Sequence, residues 1–298
     1  MQSLWMLVSA LLFAVMAACV KLAAARYGTA EIVLFRSLIG VVALFAYARF
    51  SGQPLSTPVV GMHLRRSALG VFALALWFYA ISALPLGTAM TLNFSSPLFS
   101  TAFVIAAALA GGRRVPWALV ACVGAGFVGV VLILRPSFGA GQEVPAMGGL
   151  LSGFLSAAAY WHLRELGRIG EPEWRTVFYF SLCGSLLGLV GSMPEGLTRH
   201  HTPSGLLTLV AVGVCATLAQ LAMTRAYGRG RTVLTANLQF SAIVFAAFLG
   251  LALFRDQIGG TGWLGIGTII ASCVIAAAMV ARQQAAPVLK ASIVTANK

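Results

Sequence analysis

The stretch TLNFSSPLF, Thr91 to Phe99, sets Asn93, Ser96 and Pro97 inside a run with no charge from Gly87 to Leu109. Proline has no N–H, so within a helix the carbonyl of Asn93 loses its partner and meets the crowding Pro97 ring. In lipid an unsatisfied carbonyl costs several kcal/mol, so it must face protein or water. Pro97 lies about ten residues into the run, or roughly 15 Å at 1.5 Å per residue, near the middle of a bilayer. The chemistry on offer is reversible hydrogen bonding to a polar substrate at a broken helix. The alternative is an ordinary kink whose serine hydroxyls bond back into the helix. Asn93, Ser96 and Ser100 fall on one helical face, and Thr91 and Ser95 form a second stripe.

Other polar groups follow the same pattern. NLQFSAIVF, Asn237 to Phe245, carries Asn237, Gln239 and Ser241, and a further apolar segment carries Thr217, Gln220, Thr224 and Tyr227 on one face. Such groups face a neighbouring helix or a cavity rather than acyl chains. Trp77 and Tyr79 lie deep in an apolar segment, where they suit either core packing or a cavity wall that holds a side chain or an ammonium group. Tyr160, Trp161 and His162 end another segment and read equally as an interfacial aromatic belt. Arg36 could bind a carboxylate or phosphate. The simpler expectation is pairing with Glu31 or snorkelling outward. The candidate substrate-binding residues are Trp77, Tyr79, Asn93, Ser96, Pro97, Tyr160, Trp161, Gln220, Thr224, Asn237, Gln239 and Ser241.

Composition dictates what must position them. Of 298 residues, 59% are hydrophobic and 9% charged, too few charges to cover a water-facing surface of this size. The expected class is an all-α polytopic membrane protein. Ten spans are expected, at roughly 3–22, 31–49, 67–84, 87–109, 116–134, 147–164, 175–192, 206–226, 232–253 and 262–281. The first reads as a membrane helix rather than a removed signal peptide, because no basic n-region or clear cleavage site accompanies it. The net charge of +13 sits between apolar spans, which points to topology and anionic lipid rather than nucleic acid. With the N-terminus inside, the inner connections and tail hold fourteen Lys and Arg, Arg65 and Arg66 among them, and the outer side five. Both termini are therefore expected in the cytoplasm, across a plasma (bacterial inner) membrane.

The two polar stretches are related. At an offset of 146 residues Leu92 meets Leu238, Asn93 meets Gln239, Phe94 meets Phe240 and Ser95 meets Ser241. The same offset pairs Ala80 with Ala226 and Trp117 with Trp263. Two units of five spans each are expected: 1–140, and 141–285 with a cytoplasmic tail over 286–298. Five is odd, so the second unit enters the membrane upside down, an arrangement common in secondary transporters. Ile243 stands where the first unit has Pro97, so only the first unit is expected to be broken.

The chain resembles EamA-type members of the drug/metabolite transporter superfamily, close to the YddG type of amino-acid exporter. The resemblance rests on the ten spans, on WFYAISALPLGTAMTLNFSSPLF (77–99) and on AYGRGRTVLTANLQF (226–240). It implies export of amino acids or similar metabolites through a cavity lined by the third, fourth, eighth and ninth spans with parts of the first and sixth. Such repeats often carry an acid after the fourth span. Asp256 fills that place in the second unit, where a loop structural role is expected, while the first unit has Gly111-Gly112-Arg113.

Glu31, Glu143, Glu165, Glu171, Glu173, Glu195 and Asp256 all fall at span ends or in loops. A cavity without a membrane carboxylate suits neutral or zwitterionic substrates, and facilitated efflux is the simplest coupling, with proton exchange as the alternative. The five cysteines lack metal or disulfide spacing, so neither metal nor cofactor is expected. The His200–Gly205 loop has no matching cluster of the kind an enzyme would need. Ala121, Ala125 and Gly129 form a small-residue stripe suited to helix packing or a weak homodimer, and otherwise a monomer is expected.

Overall fold

A computed structural model describes residues 2–296 except Phe138, Glu195, Arg199, His200, His201 and Asp256, and side chains except at 82, 86, 87 and from Gln284 onward. All regular structure among the described residues is helical. A 3-10 turn, Gln2–Leu4, leads into α1 (Trp5–Ala23) and α2 (Thr29–Phe50). Next come α3 (Val60–Ala83), α4 (Leu86–Asn93), α5 (Ser96–Ala110) and α6 (Trp117–Leu134). The chain continues through α7 (Glu143–Arg168), α8 (Glu173–Ser192), α9 (Pro203–Arg229), α10 (Thr232–Gln239), α11 (Ser241–Phe254) and α12 (Gly260–Ala296). Each expected span coincides with one helix or with a broken pair. Nine segments, with α4–α5 and α10–α11 each taken together, are long and apolar enough to cross a membrane among the described residues. The segment outside that group is α7, 26 residues long and rich in Gly, Ser and Ala. This protein is a polytopic α-helical membrane protein.

Hydrogen bonds at the helix ends fix the threading. At one end Arg231 N–H donates to Ser3 Oγ (2.9 Å), Arg229 pairs with Glu173 (3.0 Å) and His63 meets Glu171 (3.0 Å). At the other, Thr198 Oγ1 donates to Glu31 (2.7 Å), Thr88 Oγ1 donates to the Ser137 carbonyl (2.7 Å) and Arg135 donates to Thr261. Helices therefore run alternately up and down. Inside the bundle α1 packs on α9 and α11, α3 on α7 and α8, α2 on α8 and α9, and α6 on α12. Gly129 shows how close the last pair is: a Cβ there would stand 2.8 Å from the Gly265 carbonyl. Helix packing within the chain accounts for that position.

Both polar stretches are broken, which corrects the expectation of a single break. Between α4 and α5 the chain tightens into a turn, with Ser95 N–H bonded to the Leu92 carbonyl (3.2 Å). Between α10 and α11, Phe240 N–H bonds to the Asn237 carbonyl (3.2 Å) and Ile243 N–H to the Phe240 carbonyl (3.1 Å). Proline cannot be the common cause, because α11 lacks one at this place. The matched serines share a geometry: Ser95 Oγ donates to the Leu92 carbonyl (2.6 Å), and Ser241 Oγ to the Leu238 carbonyl (2.7 Å). A hydroxyl bonding three residues back competes with the helical ladder and bends it. Pro97, near the start of α5, adds a second cause at the first break only.

Candidate functional site

A cavity of about 350 Å³ lies against both breaks. Asn93 and Phe94 reach it from the first break, Gln239, Ala242 and Ile243 from the second. Trp77 (α3), Tyr160 (α7) and Gln220 (α9) complete the sequence-predicted residues on its wall. Much of the remaining lining is apolar, including Met6, Phe13, Leu74 and Met223. The lining runs along the bundle from Met6 and Arg66 to Ala17, Leu134 and Ala247.

A polar relay holds the wall between the breaks. Tyr227 OH donates to Gln239 Oε1 (2.8 Å), and Gln239 Nε2 points to Ser96 Oγ at 3.5 Å. Tyr160 stacks on Tyr227 with ring centroids 4.7 Å apart. Asn93 Nδ2 donates to Ser152 Oγ of α7 (3.0 Å). Helix α7 approaches the first break very closely. A Cβ on Gly153 would stand 2.4 Å from Ser95 Oγ and 2.8 Å from the Leu92 carbonyl, so only glycine fits there.

Other candidates take different places. Asn237 is fully buried and faces α6 and α12: Ser272 Oγ lies 3.5 Å from its Oδ1, and a Cβ on Gly126 would lie 3.0 Å from that atom. Ser241 is engaged in the break itself. Pro97 and Thr224 are buried but are not on the cavity's described wall. Tyr79 is exposed on the far side of α3, with its ring against Gly148. Trp161 donates to Glu165 (2.9 Å) and lies under the Arg164 guanidinium. Asp256 lies outside the described residues.

Two arginines change the electrostatics. Glu31 binds Thr198 through both oxygens, so the expected Arg36–Glu31 pair does not form, and Arg36 lines the cavity. Arg66, counted from the sequence among the inner connections, lies in the second turn of α3 and is 2% exposed. Its Nη2 donates to Gln220 Oε1 (3.3 Å), and the Phe180 ring covers the guanidinium at 4.0 Å. Arg65 beside it stays exposed. A signal for Arg66 was present in the sequence, since Arg66, Gly70, Leu74 and Trp77 recur at helical spacing on one face and all four line the cavity.

The described carboxylates are occupied elsewhere. Glu165 binds Trp161 and His162, Glu173 pairs with Arg229, and Glu143 lies 3.4 Å from Gly141 N–H. Glu171 accepts from Arg175 (2.8 Å) and meets His63 (3.0 Å), while Arg175 also donates to the Pro54 carbonyl. Burial works against the Glu171 carboxylate, but hydrogen bonds from Arg175, His63 and Thr57 outweigh it and hold its pKa below the ordinary value. This cluster ties the α2–α3 and α7–α8 connections together at the end where α1 begins.

The family comparison decides the general class. The EamA-like transporter family matches residues 1–135 and again 145–278. The chain belongs to the EamA-like transporter family. It is 32% identical to the pseudopaline exporter of Pseudomonas aeruginosa over 269 residues, covering 88% of this chain and 90% of that one. It is 27% identical to a riboflavin transporter of Vibrio cholerae, covering 91% and 90%. It is 24% identical to an S-adenosylmethionine uptake transporter of Rickettsia bellii, covering 78% and 77%. A solved crystal structure superposes with a TM-score of 0.80 at 20% identity, over 93% of this chain and 98% of its own, which establishes a shared fold. Proteins similar to this EamA-family chain thus include exporters and importers of chemically different small metabolites.

Proposed function

We propose that this protein is a secondary transporter that exports a small carboxylate-bearing metabolite, such as an amino acid or an amino-acid derivative, across the bacterial inner membrane. The observation that carries the reading is the cavity set at two matched helix breaks, with Asn93 and Gln239 on its wall. A transporter site needs polar groups at mid-membrane depth that can exchange partners, and irregular backbone there is tolerated only beside protein or water. Units 1–140 and 141–285 act as inverted five-helix repeats that rock about this site, with both termini and the tail over 286–298 in the cytoplasm. The Glu171 cluster is the closure at the cytoplasmic end. Facilitated efflux is the simplest coupling, because arginines and amides rather than carboxylates form the described polar wall.

The test is counterflow by purified protein in liposomes across a panel of amino acids and organic acids. Substrate-specific flux is expected, and its absence with every compound overturns the proposal. Replacing Asn93 and Gln239 together with Leu is expected to abolish flux in a protein that still elutes as folded. Unchanged flux in that variant moves the site elsewhere. Flux with no imposed pH gradient is expected, and strict dependence on such a gradient favours proton exchange instead.

A further inference from the structure

The cavity carries two positive charges with no described acid on its wall. Arg36 of α2 and Arg66 of α3 supply them. Arg66 is 2% exposed, and only Nη2 among its nitrogens finds a hydrogen-bond acceptor among the described residues. Its Nε and Nη1 are buried without one, and so is Nε1 of Trp77 on the same face of α3. All of these groups are donors. A charge at this depth is costly unless something neutralises it, and a buried donor left unmade carries its own penalty. Phe180 covers one face of the Arg66 guanidinium, which leaves its in-plane Nε and Nη1 donors for an anionic partner. Phe13, Leu74, Phe94 and Met223 make the surroundings apolar.

We infer that the physiological substrate is an amphipathic dianion, with one acidic group held by Arg66 and a second by Arg36, and an apolar body between them. The inference rests on the transporter reading above and narrows its substrate class. A zwitterion with one carboxylate leaves one arginine unpaired and brings an ammonium into a positive field. A dianion neutralises both charges and supplies acceptors to the unpaired donors of Arg66 and Trp77.

The test compares azelate, a nine-carbon chain with a carboxylate at each end, with phenylalanine, an apolar zwitterion. Uptake into proteoliposomes and quenching of tryptophan fluorescence are read for the wild type, Arg36→Gln, Arg66→Gln and Arg66→Lys. Wild type is expected to bind and carry azelate in preference to phenylalanine. Each Gln variant is expected to raise the azelate KM by roughly ten- to a hundredfold, the loss of one charge-assisted contact. The same variants should narrow the preference over phenylalanine, which a merely structural role would not do. Arg66→Lys is expected to recover part of the loss, because it keeps the charge without the fork. If Arg66→Gln does not fold, the half-buried Arg36→Gln carries the test alone. Phenylalanine flux with no azelate binding overturns the dianion inference and leaves the transporter reading standing. Unchanged azelate KM in folded Arg36→Gln also overturns it, and flux of no compound overturns both.

Discussion

Gly153→Ala is a sharp test of how α7 is held against the first break. The added methyl would stand 2.8 Å from the Leu92 carbonyl, 0.6 Å short of the 3.4 Å of ordinary contact, and 2.4 Å from Ser95 Oγ. Neither neighbour yields easily. The carbonyl is backbone, and the hydroxyl is fixed by its bond to that same carbonyl (2.6 Å). Helix α7 must therefore move away by more than half an ångström. Overpacking of this kind costs about 1–3 kcal/mol. Alanine also improves helix propensity by about 1 kcal/mol, which would mask part of the loss. Gly124→Ala in α6 separates the two effects, since a Cβ there meets nothing within 4 Å. The methyl at 153 should lower Tm relative to the methyl at 124 by roughly 2–12 °C, read by fluorescence-detected thermal unfolding. Function should fall as well. Ser156 and Tyr160 lie three and seven residues further along the same face and line the cavity, and Asn93 bonds to Ser152 beside them. Flux in liposomes should drop about tenfold or more. Equal Tm and flux for the two alanine variants would refute the claim that contact with the Leu92 turn sets the position of α7.

Two further outcomes follow from the site. Glu171→Gln removes the charge that joins His63 and Arg175, at a cost on the order of 2 kcal/mol. The folded Glu171 pKa lies below its unfolded value. Its stabilisation is thus full above about pH 4.3 and lost as pH falls through the lower folded value. The variant should show a smaller loss of Tm on acidification than the wild type, and an identical acid profile would remove Glu171 from that role. Asn237→Ala should lower stability by about 1 kcal/mol with substrate KM unchanged, because Asn237 faces α6 and α12, whereas Gln239→Leu should raise KM. A KM change in Asn237→Ala as large as that in Gln239→Leu would place Asn237 in the substrate path.

Much of this protein is determined along the chain. Low charge and long apolar runs dictate a helical membrane protein, since a backbone in lipid must satisfy its own hydrogen bonds. The Asn/Gln-Phe-Ser identity at an offset of 146 residues was visible as a pair of polar stretches. Reading the break from Pro97 alone was incomplete, because the shared cause is a serine bond to the carbonyl three residues back. What tertiary structure decided is which way each polar group turns. In lipid the outer face of a bundle is as apolar as its core, so amphipathicity says little about where a residue points. Asn237 and Gln239, two residues apart, go to a helix contact and to the cavity. Arg65 and Arg66, adjacent in sequence, go to the exposed surface and to the cavity. A charge count along the chain treats those two arginines alike, and only the packing of α3 against α7 and α8 turns one of them to the cavity.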